Sequence, residues 1–98
     1  MQSKQYYVYI MTTYKHTVLY TGFTENLIKR TWQHKNHVSA DGFTAKFNVN
    51  KLVYYEIYTS PIEAINREKY IKNLLRKKKI DLINNFNPEW IDLYENII

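Results

Sequence analysis

The alternation of apolar and polar positions divides the chain into short blocks. Residues 6–11 (YYVYIM) and 17–23 (TVLYTGF) are β-branched and aromatic, the composition of strands. The polar TTYKH between them is short enough to join them as an antiparallel hairpin. Side chains alternate across a strand, so Tyr7, Tyr9 and Met11 share one face and Val8 and Ile10 the other. On the second strand Tyr20 and Gly22 share a face, opposite Leu19 and Phe23. Thr24 reads as an N-cap, with Glu25 in the first turn, for a helix reaching about residue 37. Leu27, Thr31, His34 and Val38 fall on its inward stripe, with Arg30 at the edge. Residues 39–50 carry turn formers and read as a loop, and a third strand follows at 52–58, LVYYEIY. Ser60 as N-cap and Pro61 at the first helical position open a second helix from 61 to about 75. Its predicted inward stripe is Ala64, Ile65, Ile71 and Leu75. After the cation run 76–79, IDLINNF predicts another short helix, and the remaining residues a capping segment docked through Trp90, Ile91 and Leu93.

The order β-β-α-β-α-α predicts an α/β (α+β) fold, a small three-stranded, mainly antiparallel sheet flanked by helices. Ninety-eight residues accommodate one domain, with a core over about 6–84 and a capping segment over about 85–98. A domain of this size buries only about 60–65% of its unfolded surface, so every apolar face should be used. Hydrophobic residues make up 45% of the chain without a long apolar run, which argues against a membrane or disordered protein. The polar start, Met1 to Lys4, leads straight into a strand and predicts no signal peptide. There is no cysteine, so neither disulfides nor cysteine-held zinc enter the picture. A cytoplasmic location and a monomer or weak dimer are expected.

A net charge of +5 favours a polyanionic partner, although a basic surface can also serve solubility. Ten tyrosines suit base stacking and equally suit the filling of a small core. Sharper information lies where polar residues occupy inward positions. Glu68 lies three residues from Ile65 and three from Ile71, within the apolar stripe. A carboxylate there is costly unless it is paired, hydrogen-bonded or bound to a metal, and Lys72 one turn on offers the plain ion-pair reading. His34 is inward on the first helix, one turn after Arg30. A histidine in that position is ordinarily a satisfied core residue, but with the arginine it makes a clamp for one phosphate. Tyr9 and Tyr20 on neighbouring strands can bring two hydroxyls to the same place, or simply pack. Together these residues suit phosphodiester hydrolysis, which needs a base for water and cations for the phosphate and the leaving oxygen. A tyrosine pKa near 10 suits that task only if nearby cations lower it.

From Tyr6 to Ile83 the sequence resembles the GIY-YIG nuclease superfamily, of URI type. It is most similar to the stand-alone, single-domain bacterial branch, and it resembles the amino-terminal nuclease domain found in the excinuclease of nucleotide-excision repair. Tyr7-Val8-Tyr9 stands at the first motif and Tyr20-Thr21-Gly22 at the second, with Tyr7 in place of the first motif's glycine and Thr21 in place of the second's isoleucine. LIKRTWQH supplies Arg30 and His34, and EAINREKYIK supplies Glu68. The resemblance implies an endonuclease acting on DNA, with structure-selective or repair-related roles among the expectations. Tyr9 and Tyr20 would orient and deprotonate water, the base being left open between them. Arg30 would bind the scissile phosphate, His34 would support a tyrosine or accept a proton, and Glu68 would hold one Mg²⁺ or Mn²⁺. Gly22 would permit close packing or substrate approach. Asn84, with Asn85 and Asn87 as rivals, would be the late asparagine near the metal, and Thr44 and Lys46 would lie in a loop touching nucleic-acid backbone.

Two other readings compete. One is a nucleic-acid-binding module of the same fold with weak or no turnover, or one recruited by a protein partner. It would use Arg30, Lys46, Lys69, Lys72, Lys77 and the rest of the 76–79 run, which could instead be a solvated helix end favourable to the dipole. The other is a protein-interaction domain presenting Tyr54, Tyr55, Tyr58 and Trp90.

Overall fold

A computed structural model describes residues 4–37 and 47–98. Strands β1 (Tyr6–Thr12) and β2 (Leu19–Thr24) form the expected hairpin, helix α1 (Leu27–Lys35) follows, and β3 (Lys51–Tyr58) completes the sheet. Helices α2 (Pro61–Lys72), α3 (Arg76–Phe86) and the short α4 (Tyr94–Ile97) end the chain. Both partners of β1 are antiparallel, in the order β2-β1-β3, so β2 and β3 are edge strands. Among the described residues, no helix is long and apolar enough to cross a membrane.

Alternation on β1 divides the core into two layers. Val8 and Ile10 pack with Val53, Tyr54, Ala64, Ile71 and Ile83, beneath α2 and α3. Tyr9 and Met11 pack with Leu27, Val49, Leu52 and Leu93, beneath α1 and the C-terminal segment. A register shift opposite Ile10 and Met11 turns Val53 and Tyr54 toward the same layer. Asn87 fastens the tail, donating to the carbonyls of Val53 (3.2 Å) and Ile91 (2.8 Å). Asp92 accepts from the backbone N–H of Leu52 and pairs with Lys35 at the end of α1.

Several boundaries differ from the sequence reading. The N-cap of α1 is Asn26, whose side chain accepts from Lys29 N, because the Thr24 hydroxyl accepts from Asn26 N at 3.1 Å and holds the preceding turn; Glu25 therefore lies before the helix. Helix α2 stops at Lys72, where the Asn73 side chain donates to the Lys69 carbonyl at 2.9 Å. Leu75 is then 77% exposed and Ile65 is also exposed, leaving Ala64 and Ile71 as the buried stripe. Ile91 is exposed as well, and Leu93 is the buried anchor of the tail. Tyr54 is only 6% exposed, which removes it from any docking surface.

The alternative reading of the cation run, a helix end favourable to the dipole, does not hold. Arg76 to Lys79 form the first turn of α3, where the dipole opposes positive charge, and Leu75 provides no side-chain cap. Replacing Lys77 by glutamate is expected to raise stability by about 0.5 kcal/mol at low salt, read from a denaturation midpoint.

An unanticipated network joins β3 to α2. The Arg67 guanidinium grips Glu56 through Nε (3.0 Å) and Nη2 (3.0 Å), and the hydroxyls of Tyr54 and Tyr58 donate to the same carboxylate. Burial alone would raise the Glu56 pKa, but the Arg67, Tyr54 and Tyr58 hydrogen bonds outweigh it and hold the value low. The folded protein thus favours the ionised carboxylate. Its contribution is complete above the ordinary value of 4.5 and is lost as pH falls through the lower folded value. Tyr58 is pushed up to about 12, first by burial and then by Glu56, so its contribution is lost as pH rises from 10 toward that value. Glu56→Gln should cost about 3 kcal/mol by leaving Arg67 uncompensated, and should flatten the acid limb of a stability-versus-pH curve.

Candidate active site

The polar cluster is built on the α1 side of the sheet. Tyr9 is paired with Gly22 across the hairpin, and its ring lies directly over that residue: a Cβ at position 22 would stand 2.5 Å from both Tyr9 Cζ and Oη. The missing side chain therefore lets the ring lean onto β2. Its hydroxyl meets His34 Nε2 at 3.0 Å, and both residues are about 1% exposed. Tyr20 stands edge-on to His34, ring centroids 5.4 Å apart, and 6.3 Å from the Tyr9 ring. His34 is inward because α1 also buries Leu27 and Thr31 on that stripe.

Arg30, one turn before His34, completes the group. Its pKa is raised first by hydrogen bonding to Tyr9, against an opposing effect of burial, and further by Tyr20. The same guanidinium reaches Gln33 Oε1 at 3.5 Å. A fixed positive charge thus lies against two phenol hydroxyls. Tyr9 and His34 lie behind, while Tyr20 and Arg30 are partly open to solvent. The chemistry suited to that arrangement is anion binding with proton transfer at a phenol.

Glu68 is carried by α2, whose buried Ala64 and Ile71 pack in the opposite layer. Helix α2 packs across β1 and β2 on the face of Val8 and Ile10, and the Glu68 side chain is 17% exposed. Among the described residues its carboxylate has one ion-pair partner, Lys72 Nζ at 3.5 Å. Among the described residues, no three His, Cys, Asp or Glu side chains gather as a metal cage. One carboxylate nevertheless suits Mg²⁺ or Mn²⁺, which commonly take one or two protein ligands and complete their shell with water and phosphate. A loose 3.5 Å ion pair leaves that carboxylate available.

The remaining candidates are dispersed. Asn84 is on α3, which packs against β3 at the far edge of the sheet from β2, and its carbonyl accepts from Trp90 Nε1 at 2.6 Å. Asn87 is occupied in fastening the tail, and Asn85 is exposed on α3. Lys69 and Lys77 are exposed, and Lys72 is tied to Glu68. Thr44, Lys46 and Val38 lie outside the described residues. The sequence reading passed over Lys29 and Gln33, which flank the cluster on the outer side of α1. It also passed over the Glu56–Arg67 network, although Glu56 breaks the apolar and aromatic run that follows Lys51 on β3.

A protein of Clostridium perfringens described only as UPF0213 is 44% identical over 79 residues, 81% of this chain and 83% of its own length. Another UPF0213 protein, from Syntrophus aciditrophicus, is 37% identical over 83 residues, 85% of this chain and 93% of that one. The solution NMR structure of a Bacillus halodurans UPF0213 protein superposes with a TM-score of 0.56 at 26% identity, covering 90% of this chain and 92% of that one. The profile of the GIY-YIG catalytic domain matches residues 5–81, so this chain belongs to the GIY-YIG family, a family of nucleases.

Proposed function

We propose that this protein is a metal-dependent endonuclease that hydrolyses phosphodiester bonds in DNA. The observation that carries this reading is the approach of Arg30 to both tyrosines, with Tyr9 pinned to His34. Arg30 binds the scissile phosphate and neutralises charge that develops on its oxygens. Tyr20, the more exposed of the two phenols and a neighbour of Arg30, takes the proton from the attacking water. Tyr9 fixes the guanidinium from behind, and His34 orients the Tyr9 hydroxyl. Glu68 would hold one Mg²⁺ or Mn²⁺, which when bound supplies charge stabilisation for the leaving oxygen. β2 is an edge strand, so a metal held by Glu68 on α2 would have to meet the phosphate on the tyrosine face around that edge.

The test is incubation of the purified protein with Mg²⁺ or Mn²⁺ and flapped, branched, duplex and single-stranded DNA. Metal-dependent strand scission of at least one substrate is expected, and no cutting of any of them would refute the reading. A second reading, binding without turnover, is favoured by the exposed cations in the first turn of α3, kept against the helix dipole. It predicts salt-sensitive DNA binding that survives Glu68→Ala, with no cutting in any metal.

A further inference from the structure

The Arg30 side chain has two neighbourhoods. One is the tyrosine pair, and the other is an open cleft of about 360 Å³ along the outer side of α1 and the end of β2. Phe23, Thr24, Glu25, Lys29 and Gln33 line it together with Arg30. Its charge is lopsided. Among the described residues lining it, the one carboxylate, Glu25, is paired with Lys4 at 3.2 Å. Lys29 is exposed and has no carboxylate partner among the described residues. Thr24 has its hydroxyl bound to Asn26. Among the described residues, what remains open to a ligand is one ammonium, one guanidinium edge and the amide NH2 groups of Gln33 and Asn26, the donor set for a phosphate in an open, solvated groove.

We propose that this cleft binds the backbone phosphate adjoining the scissile one, with Lys29 as its charge partner and Gln33 as an amide donor. The proposal rests on the nuclease reading in taking Arg30 as the contact to the scissile phosphate and Tyr20 as the base. Lys29 and Arg30 are consecutive on α1, so their side chains leave the helix in different directions, one into the cleft and one toward the tyrosines. A strand held by both would run along the outer face of α1 and past the edge of β2. The cleft then sets the register in which the bond is presented to Tyr20.

The experiment measures binding, without divalent metal, of a short single-stranded oligodeoxynucleotide carrying one neutral methylphosphonate moved along its backbone. The phosphate contacted by Arg30 is located as the position where the neutral linkage and Arg30→Gln have non-additive effects. Lys29→Gln is expected to weaken binding several-fold and to reduce the salt slope by about 0.7, the value for one contact on a single strand. A methylphosphonate immediately beside the Arg30 position should weaken wild-type binding and leave Lys29→Gln unaffected. An unchanged salt slope, equal losses in both proteins, or coupling to a distant phosphate would overturn the subsite. Coupling without cutting in any metal would remove the catalytic reading and keep the subsite; cutting without coupling would do the reverse. Unchanged thermal melting of Lys29→Gln, expected at an exposed position, excludes a folding defect.

Discussion

Glu68→Gln is expected to reduce cleavage on the order of a thousandfold while leaving the fold and the affinity for DNA nearly intact. The carboxylate contacts Lys72 at 3.5 Å, and that lysine is more than half exposed. Such an i,i+4 pair contributes only about 0.3–0.5 kcal/mol, so the melting temperature should barely move. The glutamine keeps the shape and loses the charge that attracts a divalent cation. Calorimetric titration with Mn²⁺ should therefore lose its binding signal in the variant, and a chelator should reproduce the defect in the wild type. A variant that cuts at the wild-type rate would refute the role of Glu68. A variant that binds Mn²⁺ normally would transfer the metal site to other residues.

The tyrosine face was legible because strands alternate strictly. Placing Tyr9 and Tyr20 on one face required only the two strand segments and an antiparallel hairpin between them. His34 was legible for the equivalent reason on a helix, since Leu27, Thr31 and His34 recur at helical spacing. What escaped depended on local competition or on distant partners. Thr24 and Asn26 are both good caps, and the choice fell to Asn26 because the Thr24 hydroxyl was already engaged in the turn. The break after Lys72 contains neither glycine nor proline. Asn73 makes it with its own side chain, so a stripe extrapolated to Leu75 ran beyond the helix. Glu56 was visible as a charge within an aromatic strand, but its partner Arg67 becomes apparent only once α2 is laid over β3. The placement of α2 has the same origin: periodicity identified Glu68 as inward without saying which face of the sheet its helix covers.

Gly22→Ala should be the most damaging single-methyl change on this face. The added Cβ would stand 2.5 Å from Tyr9 Cζ and Oη and 2.9 Å from its Cε1, closer than any side-chain contact tolerates. The ring has nowhere to retreat, being about 1% exposed and tied to His34. Overpacking of this kind costs about 1–3 kcal/mol, and displacing the hydroxyl by an ångström costs on the order of a hundredfold in rate. Backbone conformation contributes nothing to the penalty, because Gly22 does not have a positive φ. On backbone grounds alone, alanine in that strand would stabilise the fold by about 0.4–1 kcal/mol, through a less disordered unfolded chain. The sign should therefore reverse once the ring is removed. In a Tyr9→Leu background, Gly22→Ala should be neutral or slightly stabilising by chemical denaturation, whereas in the wild type it destabilises. Equal destabilisation in both backgrounds would mean that the glycine serves something other than the seat of Tyr9.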